Sequence, residues 1–190
     1  HGALREPTAA ELAWQANLAL AYGAKGIVWF TYWTPRPDES GYHLGPISYE
    51  GERTAAYERV AAVNREIQAL GRELAVYEPW TVLHTGALPR DGQPLPEDFR
   101  LGDLPIEIES SGEITVSVFP QSPGLLREPR DFRLLIVNRD YHDPTPCRVT
   151  VPGWRLNRLG TVDGGGTEPV AGGRAVTLPP GGAALYSVEP

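Results

Sequence analysis

The chain has 190 residues, 41% of them apolar, which is enough to bury a core and argues against bulk disorder. Its formal net charge of -7 gives it no electrostatic reason to bind phosphate backbones. No apolar run reaches the roughly 18 residues that a bilayer-spanning segment needs. The sequence therefore predicts neither a nucleic-acid partner nor a membrane partner.

Cysteine and histidine usage argues against a metal site. Cys147 is the only cysteine, so an intrachain disulfide and a thiolate metal cage are both excluded. The histidines show no ligand spacing with a cysteine or carboxylate partner, so zinc is not expected. Asp140, His142 and Asp143 cluster after a strand-like run, where calcium is a minor alternative to an Asp-rich turn. We expect no cofactor.

The first region, residues 1–75, is predicted to contain a helix, a buried strand and a second helix. Thr8 and Glu11 have the spacing of a capping box, and Gly23 is well placed to end the helix in a left-handed conformation. Residues 26–33 are β-branched and aromatic without charges, which is typical of a parallel-sheet strand buried on both faces.

A long polar loop is predicted to follow this strand. A second helix is then predicted over residues 52–70, with Gly71 at its end. One buried strand cannot satisfy its own backbone or cover its own faces. The first region is therefore expected to be incomplete by itself and to expose an apolar patch around Ile27, Val28 and Phe30.

The remaining chain is predicted to be mostly β. Residues 76–100 are a predicted connector, in which Val82 and Leu83 form a short strand and several prolines argue against other regular structure. Residues 101–190 are predicted to form an all-β sandwich, because short strand-like runs alternate with turn signals. The runs are Ile106–Ile108, Ile114–Phe119, Phe132–Val137, Cys147–Val151, Arg155–Leu159, Ala175–Leu178 and Ala184–Val188.

Several stretches together resemble a known family. They are residues 7–27 with 30–33, residues 57–71, residues 134–140 and residues 178–183. These stretches are similar to (β/α)8-barrel glycoside hydrolases related to the family 42 β-galactosidases. The resemblance implies an α/β fragment, the last helix–strand–helix of a TIM barrel, followed by an all-β sandwich domain.

The same resemblance implies a function. Retaining glycosidases cleave O-glycosidic bonds with two carboxylates about 5 Å apart, and the resembling enzymes place them at the ends of strands four and seven. By that resemblance this chain begins after strand seven, so the catalytic carboxylates are expected upstream and the chain alone is expected to be inactive. The implied partners are a carbohydrate substrate and the remainder of the barrel. We expect capping or solvated roles for five glutamates of the first region, Glu11, Glu50, Glu52, Glu58 and Glu66.

Four residues are candidate substrate contacts, because barrel active sites lie at the C-terminal ends of the strands. Trp33 suits the apolar face of a pyranose ring, and the resemblance implies that it forms the floor of the cleavage subsite. Trp29 shares its side of the strand about one layer deeper, where a core role is the alternative. Tyr42 and His43 lie in the following loop, whose alternative role is to pack on itself.

A second function is a non-catalytic β-sandwich, either structural or carbohydrate-binding. Trp80 and Trp154 each border a predicted strand, and one of them would then be the sugar platform. A buried tryptophan is the alternative for both positions.

Overall fold

The computed structural model describes residues 5–36, 45–121, 131–160, 170–171 and 173–190. The helices are α1 (Ala9–Ala21) and α2 (Ala55–Leu74). The strands are β1 (Thr81–His84), β2 (Gln93–Pro94), β3 (Arg100–Leu101), β4 (Leu104–Pro105), β5 (Glu107–Ser110), β6 (Ile114–Pro120), β7 (Phe132–Asn138), β8 (Thr145–Thr150), β9 (Arg155–Leu159), β10 (Val170–Ala171), β11 (Arg174–Leu178) and β12 (Ala183–Glu189).

Two sheets face each other across one apolar core. The large sheet has the order β10-β9-β12-β7-β6-β1-β2 and is mixed, because β1 and β2 run parallel while the other neighbours are antiparallel. The small sheet has the order β11-β8-β5, and β3 pairs with β4 separately. Phe132, Leu134 and Tyr186 of the large sheet share a buried cluster with Val149 and Leu178 of the small one.

The two helices cover the opposite face of the large sheet. Leu20 of α1 and Leu70 of α2 belong to a second buried cluster with Phe119, Leu135 and Leu185 of the sheet. Strands β6 and β7 therefore carry apolar side chains on both faces, and almost every residue in them is buried. The result is three layers, in which the large sheet lies between the helices and the small sheet.

Both helices begin at threonine caps, and α1 matches its predicted boundaries. The Thr8 hydroxyl accepts from the Glu11 backbone N–H, and the Glu11 carboxylate accepts from the Thr8 N–H, so the predicted capping box is confirmed. Gly23 follows with φ +89°, as predicted. The prediction for α2 was wrong at its end, because the helix continues through Gly71 to Leu74.

A turn before β12 fixes α1 to the sheet. The Asn17 side-chain amide donates to the Gly181 carbonyl over 3.0 Å, in a buried position. Gly181 has φ +65°, and a Cβ at this position would collide with the Ala10 carbonyl and the Trp14 backbone. Only glycine fits this contact, so the turn at residues 180–182 also serves as the docking point for the helix.

The predicted fold class, a TIM-barrel end followed by a separate sandwich, was wrong. The described residues form a small α/β domain with two helices and mostly β structure, and no helix–strand–helix barrel unit is present among them. Residues 26–33 form no strand; Trp33 alone makes an isolated bridge, with Ile47. A strand requires ladder partners, and the helices expected to flank this segment bury much of their apolar surface on the large sheet instead.

The predicted runs in residues 101–190 all overlap observed strands, but the helices cover the outer face of their larger sheet. The β region is therefore not a free-standing unit. Val82 and Leu83 lie in a strand, as predicted, and this strand pairs with β6 along its whole length. The segment predicted as a connector thus contributes directly to the large sheet.

Candidate functional site

The segment from Gly26 to Tyr32 runs beside the two helices in an irregular conformation. Ile27 and Trp29 pack against a buried cluster formed by both helices. Val28 and Phe30 alternate with them and are 94% and 84% exposed. Within the described chain, residues 26–29 make no backbone hydrogen bond. The segment therefore presents an apolar, strand-like surface to its surroundings.

Trp29 is held in place by one side chain of α2. Its indole Nε1 donates to Asn64 Oδ1 over 2.8 Å. Asn64 is a polar residue on an otherwise apolar helix face, and the indole donor explains it, because a partly buried N–H needs an acceptor. The polar interruption of that face indicates that Asn64 has a partner, but it does not identify Trp29 as that partner. Trp29 lies among core residues and also lines a cavity.

Trp33 lies at the far end of the same segment with its indole half-exposed, at 51%. Its neighbour Thr34 donates its N–H to the Ile47 carbonyl over 2.8 Å, and the Ile47 N–H donates to the Tyr32 carbonyl over 3.0 Å. A Cβ at Gly51 would lie 3.3 Å from Trp33 Cη2, so the glycine backbone packs beside the ring. The segment 45–51 thus positions the indole while leaving part of it open.

Of the two candidate contacts within the described residues, Trp29 lines a cavity whose lining does not include Trp33. Tyr42 and His43 lie outside the described residues, so the structure does not place them. Trp33 is the candidate whose position most resembles a sugar platform, because an exposed, backed indole can stack on an apolar sugar face.

Glu11 has a structural role that excludes general acid catalysis. The Arg5 guanidinium donates to both of its carboxylate oxygens, one contact being 2.7 Å, and the Thr8 N–H donates at 2.8 Å. These hydrogen bonds, the Arg5 contact first, lower the pKa of Glu11 to about 2. The carboxyl is therefore ionised at neutral pH and occupied by its partners.

A buried histidine joins α1 to the large sheet. His84 on β1 is 2% exposed, and its Nε2 lies 2.9 Å from the Tyr22 hydroxyl while its Nδ1 lies 3.0 Å from Thr115 Oγ1. Burial, and to a lesser degree the charge of Arg139, lowers the pKa of His84. The neutral imidazole satisfies both hydroxyls, and no local spacing in the sequence singles it out.

His84 should make stability fall on mild acidification. Its pKa is lower in the folded than in the unfolded chain, so the unfolded state takes up a proton first as the pH falls below about 6.5. We expect the contribution of His84 to the free energy of unfolding, measured with urea, to be fully present above this pH. It should decline as the pH falls toward the pKa of His84 in the folded chain. His84→Gln should flatten this decline, and an unchanged profile would assign the pH dependence to other groups.

The cluster at Asp140 is a turn. Asp140 Oδ1 accepts from the backbone N–H of His142 at 2.7 Å and of Asp143 at 3.1 Å, which lowers the pKa of Asp140. No group of three His, Cys, Asp or Glu side chains suited to a metal ion occurs in the described ranges.

Neither α1 nor α2 combines the length and apolar character that crossing a membrane requires.

Of the two sandwich tryptophans, Trp154 packs into the core, with its ring 6.0 Å from that of Phe132. Trp80 is 43% exposed, and its backbone N–H donates to the Val118 carbonyl.

Comparison with known proteins adds no family to this description: no family model, no curated protein and no solved structure matches the chain.

Proposed function

We propose that this chain is part of a retaining glycoside hydrolase that cleaves O-glycosidic bonds, in which Trp33 forms an aromatic platform for the substrate sugar. The observation that carries the proposal is the half-exposed indole of Trp33, packed beside Gly51. A fixed indole with an open surface offers apolar contact to a pyranose ring and an N–H for a hydroxyl. The resemblance of residues 7–27, 30–33 and 57–71 to barrel glycosidases supports the choice of reaction.

In this proposal, the catalytic carboxylates lie on polypeptide outside these 190 residues. Glu11 is ionised and held by Arg5 and Thr8. The polypeptide that bears the carboxylates would pack against the apolar surface of Val28 and Phe30. This contact would bring the carboxylates close to Trp33. The partners are thus a carbohydrate and that further polypeptide.

The test is hydrolysis of p-nitrophenyl β-galactoside by the polypeptide encoded by the natural reading frame. Trp33→Ala should lower kcat/KM by about 10–100-fold, since losing the apolar contact of one large side chain costs about 1.5–3 kcal/mol. Trp33→Phe, which keeps a ring, should retain more activity. Trp80→Ala is the matched control, because this exposed tryptophan lies directly before β1 and away from residues 26–33 in the sequence, and it should leave kcat/KM unchanged.

Unchanged kinetics in Trp33→Ala would remove Trp33 from the site. Absence of hydrolysis of any aryl glycoside by that polypeptide would contradict the reaction itself. The second candidate, a non-catalytic carbohydrate-binding module, is favoured by the exposure of Trp80. It predicts the opposite pattern, in which sugar binding is lost in Trp80→Ala and kept in Trp33→Ala.

A further inference from the structure

A cavity of about 380 Å³ lies between α1, residues 23–29, α2 and the large sheet. This volume falls within the range of pockets that hold small organic molecules. Its walls are mostly apolar side chains from all of these elements. They are Leu20, Ile27, Trp29, Ile67, Leu74 and Phe119.

Gly71 leaves space in this cavity. A Cβ built on Gly71 would meet no atom within 4 Å apart from its chain neighbours and the backbone of its own helix, and Gly71 lines the cavity. Gly71 lies inside α2, where glycine is among the least favourable residues. The folded chain supplies no close contact that requires so small a residue there. The space is therefore suited to a group that approaches the helix from within the cavity.

One face of the cavity is rigid and carries a usable hydrogen-bond donor. The Trp29 ring is fixed by its bond to Asn64 Oδ1. The other end of that amide, Asn64 Nδ2, makes no hydrogen bond to the described residues. A ligand with an oxygen acceptor can therefore lie against the indole and accept from Asn64.

The charge of the cavity selects for a neutral ligand. Lys25 is the charged residue in its lining. The Lys25 ammonium donates to the Leu74 and Tyr77 carbonyls and lies 3.4 Å from a Glu78 carboxylate oxygen. With its donors engaged in this way, the ammonium offers little to an anion. Apolar walls and a paired charge together disfavour charged ligands, because desolvation of a charge would not be compensated.

We propose that this cavity binds a small neutral aromatic molecule that carries a hydroxyl or carbonyl oxygen. The aromatic ring lies against Trp29, and the oxygen accepts from the Asn64 amide. Trp33 does not line the cavity. The site is therefore independent of the sugar platform, and its failure would leave the proposed function standing.

The test uses p-cresol and the 190-residue chain. Saturation-transfer NMR and calorimetry should give saturable binding with a dissociation constant of about 1 mM or tighter. Gly71→Leu places a side chain in the cavity and should weaken binding at least about tenfold. Ala62→Leu is the matched control, because Ala62 is exposed on the same helix, and it should bind p-cresol like the wild type.

Toluene and benzoate test the chemistry of the ligand. Toluene lacks the oxygen acceptor and benzoate is charged, so both should bind more weakly than p-cresol. Circular dichroism checks the fold of Gly71→Leu; if that variant unfolds, Trp29→Ala, which removes the ring contact, takes its place with the same expected loss. Wild-type affinity in a folded blocking variant, or no saturable binding of p-cresol to the wild type, would overturn the proposal.

Discussion

Replacing Val28 and Phe30 together with serine should convert the isolated chain from a self-associating species into a monodisperse one. These neighbouring side chains are 94% and 84% exposed. Each is worth about 1.5–3 kcal/mol when it is removed from water, so two of them on one surface favour association. Sedimentation velocity and the fluorescence of a dye that binds apolar surfaces measure the change.

Val76→Ser is the matched control for this experiment. Val76 is 87% exposed but lies outside the segment of Val28 and Phe30. Single exposed apolar residues are normal on protein surfaces, so this variant should behave like the wild type. A wild-type chain that stays monomeric at high concentration without binding the dye would contradict the expected role of residues 26–32 as a contact surface.

Phe132→Ala should cost about 3–5 kcal/mol of stability, because it removes a large, fully buried ring from the core between the sheets. Phe132 is 0% exposed and packs against Trp154, with ring centroids 6.0 Å apart. Urea unfolding followed by circular dichroism measures the loss. Leu88→Ala, at a half-exposed position, should change the free energy of unfolding by less than about 0.5 kcal/mol. Equal effects in the two variants would mean that the core does not carry the stability of the domain.

Local signals in the sequence were sufficient for the elements that depend on neighbouring residues. The capping box of Thr8 and Glu11 and the left-handed Gly23 are decided within one helical turn, and both were predicted correctly. The strands of residues 101–190 were likewise predicted from runs bounded by turn residues. Gly71 was misjudged because the apolar contacts of α2 with the sheet outweigh one unfavourable helix residue.

The arrangement of the layers depends on distant residues, and there the prediction failed. Residues 26–33 have the composition of a buried strand, but composition does not provide a partner, and no ladder forms. A usable signal lay elsewhere. Residues 134–137 of β7 are apolar without alternation, which is typical of a strand covered on both faces. This pattern indicates that a second layer must cover the large sheet, and the helices form that layer.

The candidate site was predictable in part. Trp33 lies at an exposed end of its segment, although that segment is not a strand. Trp29 contacts the core, which is the alternative to its role as a substrate contact. Its bond to Asn64 joins residues 35 positions apart, and a pairing across that distance is not visible in local spacing. The hydrogen bonds of the buried His84 with Tyr22 and Thr115 are non-local for the same reason.

The bond between Asn17 and Gly181 spans 164 positions of the chain. Strand β12, which follows Gly181, lies in the interior of the large sheet between β9 and β7. On the ribosome, α1 therefore emerges long before the surface that it will cover can exist. Its apolar face is not fully covered by the large sheet until residues 183–189 have been synthesised and have completed that sheet. Such a chain is expected to fold late, slowly and as a whole, and to be most prone to aggregation during its own synthesis.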